Sequence, residues 1–484
     1  MSFRWLIPQC VRFDEKDIQK IVGASIRIFR NVEWTIDGTD EFMEYLRNFG
    51  CEIRGKKVKF TDKVIDITLE CINKEKEKNQ QNTRVVEASP EISYFASGQA
   101  TLCCDVYSKK LRPATSKDLA DFSRVVNCFE GLGRSHPTFI PTDAALKTRD
   151  VHAYITIMLN SDKPYRVSCY SPEALDYFVE ANVIYYGSRK KGIENLLSPA
   201  KIWINTPFMI SRESVEAGMK LRNLTGKPLN YTSMPVCGIA TPVTYDGALA
   251  LITAEVLGIN AISLAIDSSL AGWPVAPLSF DMKNAVHNQW GPETLIISTA
   301  GLQIASYLFG YSPEGAAVGD LLYTSAKEPG TQSMTEKAFG MGLAFMCGMR
   351  SFGALGTLAF ADVGSIVQLI LDMELISALK KCAEGFQVSE ETIGEEVIKE
   401  VAKKGAYFLE QEHTLKYFRK YQWFPELMDR QIPHAWIRNP EDMLENAEKK
   451  AIHLVETAPN KCPLQEKQKE ELLKLLRIAD DKQG

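Results

Sequence analysis

Residues 201–232 read KIWINTPFMISRESVEAGMKLRNLTGKPLNYT. The stretch opens on a short apolar run, residues 201–205, and closes on another, residues 228–232. Between them residues 212–225 are long enough for a helix. A strand, a helix and a second strand in that order form a crossover unit, which calls for a parallel sheet with helices outside it.

The same rhythm extends in both directions. Further strand candidates are residues 165–170 (YRVSCY), 261–266 (AISLAI), 314–319 (EGAAVG) and 343–348 (LAFMCG), with weaker ones at 131–140 and 91–99 (EISYFASGQ). Helix-length segments lie at 144–160, 172–194, 242–258, 292–309 and 331–341. So many units in one continuous block favour an α/β fold of the closed (β/α)8 TIM-type barrel class over an open doubly wound sheet. No G-x-G-x-x-G follows the first strand, which removes the best sign of a dinucleotide fold. Ile18, Ile21, Val22 and Ile26 recur at helical spacing, and Arg54-Gly55-Lys56 reads as a turn between two short strand-like runs. The polar stretch 77–83 (EKNQQNT) closes that region. The expected organisation is a mainly helical region at 1–90, the barrel at 91–362, and helices packed on it at 363–484, among them 390–404 and 465–478.

Of the 484 residues, 45% are hydrophobic and 24% charged, so a packed core is feasible and disorder is not expected. The net charge of -5 is spread along the chain, and no basic face for nucleic acid is visible. Residues 344–371 are broken by Arg350, Asp362 and several glycines, and the N-terminal apolar stretch is too short and interrupted for a signal peptide; no membrane span is expected. Eleven irregularly spaced cysteines without a C-x-x-C pattern read as reduced thiols of a cytoplasmic protein.

In a barrel, reacting groups come from the C-terminal ends of strands and the loops after them. The proposed strands place Tyr94, Phe95, Thr142, Tyr170, Asn205, Phe208, Met234, Asp267, Asp320, Tyr323, Lys327, Arg350 and Phe352 at such positions. None of the six histidines falls clearly at a strand end, and His136 comes closest. Cys237 and Cys347 have no adjacent histidine, no G-x-S-x-G elbow exists, and metal ligands do not cluster. The glycine-rich residues 348–356 (GMRSFGALG) fit phosphate binding no better than close packing. What remains is a mouth rich in aromatic faces and poor in acid–base groups. Such a surface suits a quaternary ammonium, which has no N–H to donate and is held by ring quadrupoles at ~0.5–2 kcal/mol per ring.

Several segments carry a family resemblance. They are YFASG (94–98), LRPAT (111–115), DLADF (118–122), PTD (141–143), TRDVH (148–152), MPVCG (234–238) and ATPVT (240–244). Later come SAKEP (325–329), Gln332, Glu336-Lys337, FLEQEHTL (408–415), Phe418-Arg419 and Trp423. In order and spacing the chain resembles the trimethylamine methyltransferase superfamily, specifically its members that lack pyrrolysine and demethylate betaines. The resemblance implies a (β/α)8 barrel, a cytoplasmic location, and the cobalt(I) of a separate corrinoid protein as methyl acceptor. Arg350 and Phe352 in GMRSFG, and Asp320, depart from the family's usual small residues where substrate should bind.

The reaction expected on this basis is an in-line displacement from a betaine-type quaternary amine. The amine leaves neutral, so no catalytic acid–base group and no metal is required. Charge on nitrogen is lost in the transition state, and an anion held against it would stabilise the ground state more. Tyr94, Phe95, Phe208 and Phe352 are the expected cage. Asp320 is expected to bond a hydroxyl or backbone group. Arg350 suits a betaine carboxylate, with a structural salt bridge as the alternative. The chain has no D-x-H-x-x-G cobalamin motif, since Asp150-Val151-His152 lacks the glycine, so no cofactor is expected tightly bound and the corrinoid (cobalamin) arrives on its partner. Competing readings are a Schiff-base lyase or aldolase using Lys327, and a betaine-binding protein without turnover. Oligomeric state is left open.

Overall fold

The computed structural model describes residues 13–81, 91–134, 136–163, 172–196, 200–310, 323–346 and 349–483. The strand candidates at 165–170 and 314–319, together with Asp320, lie outside the described residues.

The N-terminal region matches its sequence closely. Helix Glu15–Asn31 starts where the Asp14 carboxylate accepts the Asp17 N–H, satisfying one of the orphan donors of a helix start. Strands Glu52–Arg54 and Lys57–Lys59 form the expected hairpin about Gly55, whose φ of 61° suits a residue without Cβ. Strand Trp34–Ile36 ties this region to the rest of the chain by pairing parallel with Met209–Ile210 in a six-stranded sheet. Trp34 is fully buried, and a Cβ at Gly258 would sit 2.3 Å from its ring, so the glycine is what lets helix Tyr245–Asp267 lie against the indole.

Parallel pairing builds two arcs of three segments. Strand Ser93–Ala96 lies between Leu132–Arg134 and Ser351–Leu355, parallel to both. Ile202–Asn205 pairs parallel with Tyr231–Ser233, and parallel bridges Ser233–Val275 and Val236–Leu278 add a third segment. Two apolar cores accompany them. One gathers Phe122, Phe139, Phe178 and Phe352, the other Phe29, Phe42, Phe208 and Phe309.

Two strand expectations are corrected. Residues 261–266 form the last turns of helix Tyr245–Asp267, and the parallel segment lies beyond it at 275–278. Leu343–Met346 end helix Thr331–Met346, and the strand comes later at Ser351–Leu355. The physical reason is the same in both places. A short apolar run has no period of its own, and a helix buried on most of its faces presents the same run as a strand. Helix Tyr245–Asp267 is apolar and long enough to cross a membrane, yet 83% of its most apolar window is buried inside the fold. Helices 212–225 and 292–309 stand at the expected bounds, as Arg212–Thr225 and Pro292–Phe309.

At the C-terminus, Asp480 of helix Glu466–Gln483 accepts a hydrogen bond from Thr148 at 2.7 Å and lies 3.0 Å from His152. Helix Ile366–Glu384 is buried along much of its length against strand Ser351–Leu355.

Candidate active site

The loop Thr324–Lys327 lies beside the turn that follows strand Ser351–Leu355. Its geometry is set by a carboxylate. Glu336, buried on helix Thr331–Met346, accepts the Thr324 hydroxyl at 2.5 Å and the Ser325 N–H at 2.6 Å through one oxygen, and the Gln332 amide at 2.7 Å through the other. Both oxygens are therefore engaged within the protein.

Two ring systems meet this loop, and a third packs on one of them. The Trp290 indole N–H donates to the Ser325 hydroxyl at 2.8 Å. Trp290 is aimed by Asn288, whose side-chain oxygen accepts the N–H groups of Trp290 and Gly291 at 3.2 and 2.9 Å, just before Pro292 opens a helix. Phe360 reaches the loop from the other side, its N–H on the Thr324 carbonyl at 3.0 Å, while Ala359 N–H bonds the Ala326 carbonyl at 2.8 Å. His287 faces Phe360 with ring centroids 5.1 Å apart. Phe360 sits in the turn Ala359–Ala361, where three successive non-glycine residues have φ of 46°, 57° and 76°. Left-handed backbone costs an L-residue ~1–2 kcal/mol, so this turn holds several kcal/mol of strain, of the kind that gathers at functional sites.

The turn is held from below by a buried ion pair. Lys337 Nζ lies 2.6 Å from Asp372 Oδ2, with both side chains sealed from solvent. The same carboxylate accepts the Gly356 N–H at 2.8 Å and the Gln368 amide at 2.8 Å. Burial pushes the Lys337 ammonium down and the Asp372 carboxyl up. Gly356, with φ of 84°, comes two residues after Ala354 at 60°, so the pair fixes the bend from which the chain reaches Phe360. A second buried acid organises the far arc. Glu255 accepts the Phe208 N–H and the Thr206 hydroxyl, each at 2.8 Å, at the end of strand Ile202–Asn205. Burial pushes its carboxyl up.

A model of the family described as "Trimethylamine methyltransferase (MTTB)" matches residues 3–480. The chain belongs to the trimethylamine methyltransferase family. Its similarity to trimethylamine methyltransferase MttB of Methanosarcina thermophila is 26% identity over 442 residues, covering 88% of each chain. To the glycine betaine methyltransferase of Desulfitobacterium hafniense it is 24% identical over 442 residues, covering 90% of each. MttB of Desulfitobacterium hafniense is 24% identical over 413 residues, covering 84% of this chain and 80% of the relative.

The aromatic residues expected from the sequence do not share one surface in this family member. Tyr94 and Phe352 are register partners on neighbouring strands and both are buried. The Tyr94 hydroxyl donates to the Glu130 carbonyl at 2.8 Å, and Lys380 lies 5.6 Å from its ring. Phe95 alternates to the opposite face and packs over Gly133. Phe208 is buried in the other core, 5.5 Å from Trp34. Arg350 precedes its strand instead of ending one. Its guanidinium stacks on Phe345 at 4.3 Å and donates to the carbonyls of Phe345 and Met349 at 3.1 and 2.9 Å. Lys327 is exposed, and its ammonium donates to the Ser325 carbonyl at 2.6 Å. Cys237 is a buried free thiol whose pKa burial raises. Among the described residues no three His, Cys, Asp or Glu side chains are placed to hold a metal ion.

Trp290, His287 and Phe360 escaped the sequence reading because the displaced strand candidates at 261–266 and 343–348 put the strand ends in the wrong loops. The tetrapeptide Gln289-Trp-Gly-Pro292, a large aromatic directly before a Gly-Pro helix start, is the signal that could have found Trp290.

Proposed function

We propose that this methyltransferase moves a methyl group from a betaine-type quaternary amine to the cobalt(I) of a corrinoid carried by a partner protein. The observation that carries the reading is the loop Thr324–Lys327, flanked by Trp290 and by Phe360 with His287 packed on it, and with Glu336 spent on the loop itself. Ring faces attract a permanent cation without pairing it to an anion. That suits a reaction in which the cation is neutralised on the way to the transition state, because tight ion pairing would favour the ground state. The chain's contribution is to orient one N-methyl group and exclude water. Cobalt(I), as the second substrate, supplies the electron pair for the new Co–C bond. The C–N pair departs with the neutral tertiary amine, and the cobalt is formally oxidised by two electrons.

The fold proposed with this reading is the (β/α)8 barrel, on the support of two three-segment parallel arcs and of sequence strand candidates lying between them in chain order. A relative named glycine betaine methyltransferase is compatible with a betaine, beside relatives of equal or higher identity named trimethylamine methyltransferase; the preference for a quaternary amine rests on its neutral leaving group. The Schiff-base alternative draws little support, since an amine nucleophile is activated by desolvation or a neighbouring cation and Lys327 is exposed. The test supplies cobalt(I) cobalamin, the protein, and glycine betaine, choline or trimethylamine in turn, and tracks methylcobalamin by absorbance. Methylation from trimethylamine at a rate equal to that from every betaine tried would defeat the proposal.

A further inference from the structure

The carboxylate of a betaine calls for a cation, and Arg350 does not supply it. Its guanidinium stacks on Phe345 and donates to two carbonyls, while Lys337 is sealed in its pair with Asp372. Lys327 is placed differently. It is exposed, and among the described residues no carboxylate lies within ion-pair distance of its ammonium. Yet the side chain does not extend into solvent. It folds back to donate to the Ser325 carbonyl at 2.6 Å, and its nitrogen stands 5.9 Å from the centre of the Phe360 ring. An ammonium carries three N–H donors, so two remain for a ligand.

The backbone beneath it is fixed. Glu336 holds the Ser325 N–H, and the Thr324 hydroxyl accepts the Ala326 N–H at 3.0 Å. The carbonyls of Thr324 and Ala326 accept the N–H groups of Phe360 and Ala359. Ser325 also receives the Trp290 indole on its hydroxyl, so one residue carries a ring on its side chain and a cation on its carbonyl. A group held in this way loses little freedom when a ligand arrives.

This arrangement separates zwitterions from plain cations. The faces of Trp290 and Phe360 attract any quaternary ammonium. A second positive charge 5.9 Å from the Phe360 ring repels a ligand that is only a cation, as choline is. In glycine betaine one methylene separates the carboxylate from the nitrogen. The carboxylate can then lie between the two positive charges and bond the Lys327 ammonium while the N-methyl groups stay on the rings. Selection by attraction and by repulsion together is how one site distinguishes close analogues.

We propose that Lys327 selects carboxylate-bearing quaternary amines over choline-type cations by pairing with the carboxylate. The assignment rests on the quaternary-amine substrate proposed above.

Calorimetric titration of the full-length protein with glycine betaine and with choline tests it without turnover. Wild type is expected to bind glycine betaine more tightly than choline. Lys327→Met should weaken glycine betaine roughly five- to tenfold, between the effect of an exposed ion pair and that of a covered one, and leave choline as tight or tighter. Lys327→Glu should invert the preference, and Lys327→Arg, which keeps the charge, should retain it. Circular dichroism confirms that each variant is folded. A wild type that prefers choline, equal losses of both ligands in Lys327→Met, or a Lys327→Glu variant that still prefers glycine betaine overturns the proposal and leaves the quaternary-amine substrate standing. A wild-type protein that binds neither ligand overturns both.

Discussion

Lys337→Met removes one half of a fully buried ion pair and leaves Asp372 without its cation. Breaking a buried pair in this way costs ~3–5 kcal/mol. Asp372 keeps two donors, the Gly356 N–H at 2.8 Å and the Gln368 amide at 2.8 Å, which places the loss at the lower end, about 3 kcal/mol. A chain of 484 residues unfolds with an entropy of about 1 kcal/mol/K, so the melting temperature falls by about 3 °C. The double variant Lys337→Met with Asp372→Asn removes the orphaned charge while retaining an acceptor for Gly356, and is expected to recover half of the loss or more. Because Gly356 sits in the bend leading to Phe360, the single variant also loses methyl-transfer rate at temperatures where it is fully folded. The assay is thermal unfolding by circular dichroism, paired with initial rates. A single variant within about 1 °C of wild type, or a double variant as unstable as the two single losses added together, refutes the reasoning.

Three further outcomes are expected from the geometry. Glu255 has a folded-state pKa raised above its ordinary 4.5, so its contribution to stability is complete below that value and is lost as pH rises toward the folded value; Glu255→Gln should gain stability relative to wild type as pH rises from below 4.5, and a difference that is the same below and above pH 4.5 would disprove it. Phe360→Leu keeps an apolar side chain but removes the quadrupole, and KM for the quaternary amine should rise about two- to thirtyfold, corresponding to ~0.5–2 kcal/mol; an unchanged KM excludes ring contact with the cation. Arg350→Ala removes a guanidinium that stacks on Phe345 and bonds two carbonyls, and should lower stability by ~1–3 kcal/mol while shifting betaine and choline affinities equally; a selective loss for the betaine, measured by calorimetry, would return Arg350 to the carboxylate role.

Legibility in the sequence tracked local information. Helices Arg212–Thr225 and Pro292–Phe309 could be read because their ends are punctuated, by Gly226 in one and by Gly291-Pro292 and Gly310 in the other. The hairpin about Gly55 was legible for the same reason. Residues 261–266 and 343–346 were not, because a helix buried on most faces loses the periodicity that distinguishes it from a strand. The site suffered most from those two displacements. An error in where a strand ends carries the whole loop with it, so Arg350 was read as coming after a strand that it precedes. Aromatic character alone could not separate Phe352, which fills a core, from Phe360, which reaches the loop Thr324–Lys327. The difference lies in a left-handed turn with no glycine to announce it.

The pairing of Ile36 with Ile210, and of Trp34 with Gly258, also bears on how the chain is made. The N-terminal helices and hairpin can form as soon as they leave the ribosome, since their contacts are local. Their apolar face, with Phe29, Trp34 and Phe42, then waits for helix Tyr245–Asp267, which is synthesised roughly 200 residues later. At ~5–20 residues per second that wait is on the order of 10–45 s. A nascent chain halted before residue 245 would display this face to the cell, and the N-terminal region is where a chaperone would be needed first.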